Sequence, residues 1–417
     1  MKLKTPFQLS RRDLLWTAGA GAVTMWIPKP VKGYSGAEML AAPVDTAGRV
    51  SVGISKWELD TPALCVDLDK MEQNFATLQK VMVANKIASR PHAKTHKCPA
   101  IARLQIASGS IGVCTTKVSE AEAMFAGGVE KIMMTTANLT PVKIRKAMAL
   151  RKRCSGFIQA VDNEQNARDL SAAAKEAGVV ADVVVDVDPG LHRTGVPVEA
   201  AVALAKLVAT LPGLKLRGML SYDGDGQHVR TFKARRARAL EGMEAPAAAF
   251  ASMKSAGLNL EIFSGGGSGT YNIQHETPGF TDVQAGSYLF MSGDYTPIGG
   301  QADDKRYTDF TPSLTVVTTI TNAYTAGRAT TDAGTKALVG GNLIEIVGAT
   351  GMTYKTFGDE FGWITYQNPS RTYKVGDKLE VITPHCDPTV NLYDQIYGTR
   401  KDRVEVVWPI TARGKSQ

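Results

Sequence analysis

Two lysines and two histidines are concentrated in residues 90–97, which read Arg-Pro-His-Ala-Lys-Thr-His-Lys. Neighbouring cations lower the pKa of a lysine, and the free amine that results can form an imine with a carbonyl compound. A solvated basic loop is the alternative, and it is the more common explanation of a charge run. The segment is therefore a candidate for imine chemistry, and the choice between the two interpretations depends on other parts of the sequence.

A glycine-rich segment over residues 264–270 reads Ser-Gly-Gly-Gly-Ser-Gly-Thr and follows the apolar run 260–264. Such a loop exposes backbone N–H groups and allows an anion to approach closely, as phosphate sites require. A flexible turn is the alternative interpretation. An activated lysine combined with a phosphate loop suggests pyridoxal phosphate as the cofactor.

A third segment, residues 384–389, reads Pro-His-Cys-Asp-Pro-Thr. His385 and Asp387 are two residues apart, so in an extended segment their side chains point the same way and can bind one metal ion. Cys386 would then point away. A turn that contains a packed histidine is the alternative.

The elements that must position these segments alternate between strand-like and helix-like patterns. Residues 59–68 resemble a buried strand, and an amphipathic helix capped by Asp69 follows it. Further strand-like runs cover 111–114, 131–135, 156–161, 179–187, 216–221, 260–264 and 281–285, with helix-like stretches at 119–126, 141–151, 163–177, 197–210 and 229–256. About eight strand–helix units predict a (β/α)₈ barrel. A doubly wound open sheet is the alternative, but no GxGxxG opens the first helix.

The pattern changes near residue 300. Residues 311–347 and 373–407 are rich in Thr, Val and Ile with Gly and Asp turns, which is typical of a mostly β domain. We therefore predict an α/β chain with a barrel over 60–300 and a β domain over 301–417. The segment 46–59 can pack on the second domain.

The first 42 residues are predicted to be a signal peptide and linker. Ser-Arg-Arg-Asp-Leu-Leu at 10–15 resembles a twin-arginine signal, and the apolar stretch 14–27 is too short for a stable membrane span. This predicts export to the periplasm. A chance arginine pair before an amphipathic helix is the alternative.

The composition of the chain argues against some classes of function. The chain has 417 residues, a formal net charge of +8 and no basic stripe interleaved with aromatic residues, so nucleic-acid binding is not expected. The five cysteines are scattered without a CxxC pair, which predicts neither a disulfide framework nor a cysteine-rich zinc module.

The three segments, together with Gln-Ala-Gly-Ser-Tyr at 284–288 and the continuation to Asp394, resemble the D-threonine aldolase and D-serine dehydratase group. These are fold-type III pyridoxal phosphate enzymes, more distantly related to alanine racemase. The resemblance covers roughly residues 55–410, and the lysine and metal motifs are its most specific parts.

The resemblance implies roles for individual residues. Lys94 is the expected imine lysine, with Lys97 as the second choice, and Gln284 stands where alanine racemases place an arginine against the pyridine nitrogen. Arg193 is expected to steer the cofactor or the substrate carboxylate, or only to fix its loop. The resemblance also implies that the cofactor phosphate is bound by Ser268, Gly286 and Ser287. Tyr222 is expected to lie near the cofactor, and the metal is expected to be bound by His385 and Asp387.

The expected activity is metal-assisted cleavage of a D-β-hydroxy-α-amino acid to glycine and an aldehyde. Asp387 rather than cysteine at the third motif position favours an aldolase and favours Mn²⁺ or Mg²⁺ over Zn²⁺. His228 is the candidate base, although a histidine with only structural hydrogen bonds fits its position equally well. A dehydratase, a racemase and a non-catalytic cofactor-binding protein are the alternatives, and the resemblance implies a homodimer that takes a small D-amino acid.

Overall fold

The computed structural model describes residues 33–42, 53–341 and 344–417, so the predicted twin-arginine segment lies outside the described residues. Residues Tyr34–Gln417 form one compact unit. Its helices are α1 (Gly36–Leu40), α2 (Leu68–Ala84), α3 (Pro99–Ala107), α4 (Val118–Ala126), α5 (Pro141–Arg153), α6 (Glu164–Ala177), α7 (Val198–Thr210), α8 (Phe232–Ser255) and α9 (Cys386–Val390). Within the described ranges, no helix is long and apolar enough to cross a membrane.

The strands form two separate sheets. They are β1 (Ala63–Asp67), β2 (Ala88–Ser89), β3 (Val113–Thr115), β4 (Lys131–Ala137), β5 (Gly156–Val161), β6 (Ala181–Asp188), β7 (Val196–Pro197), β8 (Leu214–Ser221), β9 (Ile262–Gly265), β10 (Asp282–Val283), β11 (Leu314–Asn322), β12 (Arg328–Thr331), β13 (Glu345–Ile346), β14 (Met352–Phe357), β15 (Phe361–Tyr366), β16 (Lys378–Ile382), β17 (Gln395–Arg400) and β18 (Arg403–Pro409).

Eight parallel strands form the predicted barrel, in the order β2-β10-β9-β8-β6-β5-β4-β3. The two end strands are joined as well, because Ile111 N–H donates to Ser89 O at 3.0 Å and Cys114 N–H donates to Pro91 O at 2.8 Å. The barrel is therefore closed, and the open-sheet alternative is wrong. Closure satisfies the edges that an open sheet would expose.

Local signals explain why the helices of the barrel begin and end where they do. Asp67 caps α2 by accepting a hydrogen bond from Lys70 N–H, so the predicted cap at Asp69 is two residues late. Asn163 caps α6 in the same way, and Gly178 ends it in the left-handed conformation, with φ of 66°.

The second sheet follows the order β14-β15-β12-β11-β1-β17-β18, with β16 also paired to β11. The strand predicted over 59–68 is β1, and it lies in this sheet rather than in the barrel. It runs antiparallel to β11 and parallel to β17. The eighth barrel strand is instead the short β2, which leads directly to Lys94.

Strand β1 has two buried faces. Leu64 and Val66 belong to the large core that also contains the barrel residues, whereas Ala63 and Cys65 pack in a second cluster with Leu59. This alternation follows from the two-residue period of a strand. Because one hydrophobic core spans both sheets, the core does not mark where one domain ends and the next begins. The domain boundary between residues 300 and 301 therefore stays a prediction.

The segment before β1 contacts the second sheet where it is described. The Lys56 ammonium lies 2.8 Å from a Glu380 carboxylate oxygen and 2.7 Å from one of Asp402. These carboxylates, against the opposing effect of burial, raise the pKa of Lys56. The contacts fix the chain immediately before it enters the sheet.

Candidate active site

A cavity of about 270 Å³ lies at the carboxyl ends of the barrel strands, which is where barrels of this type bind their ligands. Three of the predicted site residues line it, namely Lys94, Arg193 and Tyr222. The other six predicted residues, all within the described ranges, are not part of its lining; they are His228, Ser268, Gly286, Ser287, His385 and Asp387.

Lys94 lies in a single 3₁₀ turn, Ala93–Thr95, that directly follows β2. His92 caps this turn, since its Nδ1 accepts a hydrogen bond from Lys94 N–H. The Lys94 side chain is 40% exposed, and its Nζ lies 3.9 Å from Oδ2 of Asp387. The barrel lysine and the C-terminal metal motif, almost 300 residues apart in sequence, thus meet at one place.

Lys97 is placed differently from Lys94. Its ammonium donates to Lys94 O at 2.6 Å and to Asp387 O at 2.8 Å. Burial lowers the pKa of Lys97. Since its amine is held between two carbonyls, Lys97 links the lysine turn to the metal motif, and its position does not favour it as the imine lysine.

Only part of the basic segment is charged around Lys94. Burial lowers the pKa of His92 well below its usual value and that of His96 to about 4, so both are neutral at pH 7. Arg90 is buried and paired with Asp282 at 3.0 Å. The charged groups closest in space to Lys94 therefore include a carboxylate, which the basic sequence did not indicate.

One residue predicted to contact the cofactor phosphate, Gly286, lies against the turn that contains Lys94. A Cβ atom added at Gly286 would lie 2.6 Å from Oγ1 of Thr95, and that hydroxyl is buried with no hydrogen-bond partner in the described chain. Ser287 opens the 3₁₀ turn that follows, and Ser268 Oγ accepts from Tyr288 N–H at 2.8 Å. An unpartnered hydroxyl beside a glycine fits a phosphate group.

The glycine loop is held by Gln227. A Cβ atom at Gly267 would lie 2.0 Å from Oε1 of Gln227, so a larger residue there would displace the Gln227 side chain. The same oxygen accepts from Gly269 N–H at 3.3 Å, while Nε2 of Gln227 donates to the Tyr222 hydroxyl at 2.7 Å. Gln227 thereby connects the predicted phosphate loop with a residue that lines the cavity.

The opposite wall of the cavity carries an arginine and a buried acid. The Arg193 guanidinium lies 4.9 Å from the centre of the Tyr222 ring, in a cation–π contact. Asp186 also lines the cavity, as does Gln284. Burial raises the pKa of Asp186 to about 7, and its Oδ2 has no partner among the described residues. These groups can orient a ligand that carries an anion or a ring nitrogen.

The predicted metal ligands are not in an extended segment. His385 has extended backbone angles, but α9 begins at Cys386, so Asp387 lies in its first turn. His385 Nδ1 is 3.1 Å from Oδ2 of Asp294, and this hydrogen bond raises the pKa of His385. Oδ1 of Asp387 and Oδ1 of Asp294 are both buried without a hydrogen-bond partner.

This donor set fits a metal site with two protein ligands. In the part of the chain that the structure describes, no three His, Cys, Asp or Glu side chains are grouped closely enough to hold a metal ion. Imidazole and carboxylate ligands, with open positions left for other oxygen ligands, suit Mg²⁺ and Mn²⁺. The unpartnered buried oxygen on Asp387 fits a metal ligand.

His228 lies near the metal motif. Its ring is 4.6 Å from the Tyr295 ring, and burial lowers its pKa, with the charges of Asp294 and His385 as the next influences. A neutral imidazole beside His385 can accept a proton, as predicted for a base. No hydrogen bond of a purely structural role is observed for the His228 ring within the described chain.

Several residues of this site were not found from the sequence. Asp186, Gln227 and Asp294 belong to no recognised motif, and their importance comes from contacts across the fold. One signal was available for Asp186, because Asp186 and Asp188 alternate at the end of an apolar strand, which is where barrel ligands bind.

Two family models match the chain. Residues 66–294 match the alanine racemase N-terminal domain, and residues 313–399 match the putative serine dehydratase domain. The first model covers the barrel strands that surround the cavity, and the second covers most of the second sheet.

Known proteins are similar over nearly the whole chain. The 3-hydroxy-D-aspartate aldolase of Paracoccus denitrificans (strain Pd 1222) is 36% identical, over 87% of this chain and 94% of its own length. The D-threonine aldolase of an Arthrobacter species is 35% identical, over 86% and 94%. The crystal structure of D-threonine aldolase from Filomicrobium marinum is 35% identical, with a TM-score of 0.83 over 88% of this chain and 99% of that one.

Proposed function

Since the chain belongs to the D-threonine aldolase family of pyridoxal phosphate-dependent lyases, we propose that it cleaves D-β-hydroxy-α-amino acids to glycine and an aldehyde, with the help of a divalent metal. The observation that carries the proposal is the 3.9 Å approach of Lys94 Nζ to Asp387 Oδ2. This distance supports the proposal that Lys94 and the metal motif act on one substrate.

The two absent groups supply complementary chemistry. Lys94 would hold pyridoxal phosphate, which would supply an electron sink for cleavage of the Cα–Cβ bond. His385 and Asp387 would hold a divalent metal, which would supply a Lewis acid for the substrate β-hydroxyl. The substrate would be bound in the cavity that Lys94 lines.

The residues of the chain have separate tasks in this scheme. His228, which burial keeps neutral, accepts the β-hydroxyl proton on a ring nitrogen. Arg193, held over the Tyr222 ring, binds the cofactor or the substrate carboxylate. Thr95, Ser268, Gly286 and Ser287 would hold the phosphate, and Gln284 lines the cavity that would take the cofactor.

Product analysis tests the activity. Purified protein supplied with pyridoxal phosphate is incubated with D-threonine, D-threo-phenylserine and D-serine, with and without Mn²⁺. Glycine together with acetaldehyde or benzaldehyde supports the aldolase. A 2-oxo acid with ammonia would show a dehydratase instead, which the serine dehydratase model over residues 313–399 keeps as the second candidate.

The identity of the metal forms part of the proposal. One imidazole and one carboxylate favour Mn²⁺ or Mg²⁺ over Zn²⁺. Dialysis against a chelator should abolish turnover, and Mn²⁺ or Mg²⁺ should restore it. Full turnover after complete metal removal, verified by elemental analysis, would contradict this part.

Export and oligomeric state complete the proposal. The twin-arginine pattern of residues 10–15 supports a periplasmic enzyme, and the family resemblance supports a homodimer. Cell fractionation tests export. The control is an Arg11→Lys, Arg12→Lys double variant, which should remain in the cytoplasm. Sedimentation equilibrium of the purified protein tests the oligomeric state.

A further inference from the structure

Asp294 lies outside the predicted metal motif but directly against it. Its Oδ2 is 3.1 Å from Nδ1 of His385. We propose that Asp294 is a positioning residue of the metal site, which accepts the Nδ1–H of His385 and leaves Nε2 as the metal ligand. The inference rests on the proposed metal function of His385 and Asp387.

The chemistry of imidazole gives this contact its consequence. A carboxylate can only accept a hydrogen bond, so the hydrogen must be on Nδ1 of His385. In the neutral ring, the lone pair is then on Nε2, which is the form that binds a metal. Carboxylate partners of this kind fix the tautomer and the orientation of ligating histidines and raise their basicity.

Backbone hydrogen bonds around Asp294 hold its carboxylate next to the metal motif. Gly293 N–H donates to Thr383 O at 3.1 Å, and Asp294 N–H donates to Pro384 O at 3.0 Å. From the other side, Cys386 N–H donates to Ser292 Oγ at 3.0 Å. Consecutive residues of the barrel segment thus bind consecutive residues of the motif, which gives His385 a fixed partner.

The second oxygen of Asp294 is not used in the contact with His385. Oδ1 of Asp294 and Oδ1 of Asp387 are both buried without a hydrogen-bond partner in the described ranges. Two such oxygens near one histidine are costly without a cation. Since Asp294 forms no three-residue metal-holding group with the described side chains, we assign it to His385 rather than to the metal.

Metal binding by the full chain, measured without turnover, tests the inference. Metal-free protein loaded with pyridoxal phosphate is titrated with Mn²⁺, and free Mn²⁺ is followed by electron paramagnetic resonance. Asp294→Ala should weaken Mn²⁺ binding about 10- to 100-fold. Asp294→Asn should weaken it less, because the amide oxygen still accepts from Nδ1–H.

Matched variants separate this role from a structural one. Asp303→Asn removes an exposed carboxylate nine residues away and should bind Mn²⁺ like the wild type. His385→Ala should lose tight binding. All variants should keep the cofactor absorbance at Lys94, because the Asp294 contact does not involve the cofactor residues.

Two results would overturn this inference without affecting the proposed metal function. One is wild-type Mn²⁺ affinity in a folded Asp294→Ala variant. The other, which needs no variant, is an Nε2–H tautomer of His385 in long-range ¹H–¹⁵N spectra of the metal-free wild type at pH 9. A wild-type protein that binds no Mn²⁺ would overturn the proposed metal function and this inference together.

Discussion

Lys94 and Lys97 are three residues apart, and only their contacts across the fold separate their roles. The sequence motif identified the pair, because residue types are local information. The contact of Lys97 with Asp387 O at 2.8 Å joins residues 290 positions apart, and no local pattern encodes it. For the same reason the sequence did not indicate Asp294 and Gln227, although it named Lys94, Arg193 and Tyr222, which line the cavity.

A Lys97→Met variant tests this separation. The variant should keep the cofactor absorbance, because Lys94 remains. It should lose about 2 kcal/mol of unfolding free energy, since two buried carbonyls lose a charged donor. Absorbance spectra and urea unfolding measure the two effects. Loss of the absorbance in Lys97→Met but not in Lys94→Ala would reverse the assignment of the lysines.

The proposed base makes a second prediction at this scale. His228→Gln should lower kcat about 10²- to 10⁴-fold, which is the usual contribution of a general base. The cofactor absorbance and the Mn²⁺ affinity should remain, since His228 binds neither group in the proposal. Steady-state kinetics with D-threonine measure the loss, and an unchanged kcat would assign proton transfer to another group.

Among the elements, length decided what the sequence could predict. Long amphipathic helices such as α2 and α6 have enough periods for the apolar positions to stand out. Strand β2 has only two residues, which is too short for any alternation to be visible. The five-residue α9 was treated as an extended segment because it is short, contains Pro388 and follows Pro384, a pattern that resembles a loop.

The turn after Lys94 carries a pH-dependent contribution to stability. Burial lowers the pKa of His96 to about 4, against about 6.5 in an unfolded chain. Between these values the unfolded state binds more protons, so the free energy of unfolding falls as the pH falls from 6.5 towards 4. The loss due to His96 should approach about 3 kcal/mol.

Urea unfolding at pH 7 and pH 4.5 measures this effect. A His96→Gln variant should lose less stability over the interval than the wild type, because it has no proton to bind at this position. An equal loss in both proteins would show that His96 is protonated in the folded state as readily as in the unfolded one.

For the whole molecule, the sequence predicted the barrel and the mostly β region after it, and both are confirmed. It did not predict that β1 belongs to the second sheet. A buried strand has the same apolar pattern in a barrel and in a covered sheet, so the pattern could not identify the partners of β1. The pairing of Cys65 with Thr315 and with Tyr397 is visible only in the fold.

A truncated chain tests this connection. A chain of residues 33–310 contains all eight barrel strands, but it leaves both edges of β1 unpaired and uncovers Leu64 and Val66. It should aggregate and lack a cooperative unfolding transition. The control is a chain of residues 33–417, which should unfold cooperatively. A soluble, cooperatively folded 33–310 chain would show that the barrel is independent of the second sheet.

The position of β1 between β11 and β17 also sets an order of events during synthesis. Strand β1 leaves the ribosome before the whole barrel, whereas its partners begin at Leu314 and Gln395. A growing chain therefore carries an unpaired apolar strand for more than 200 residues, when domains otherwise fold as they emerge. This sheet can therefore be completed only after translation has passed residue 400.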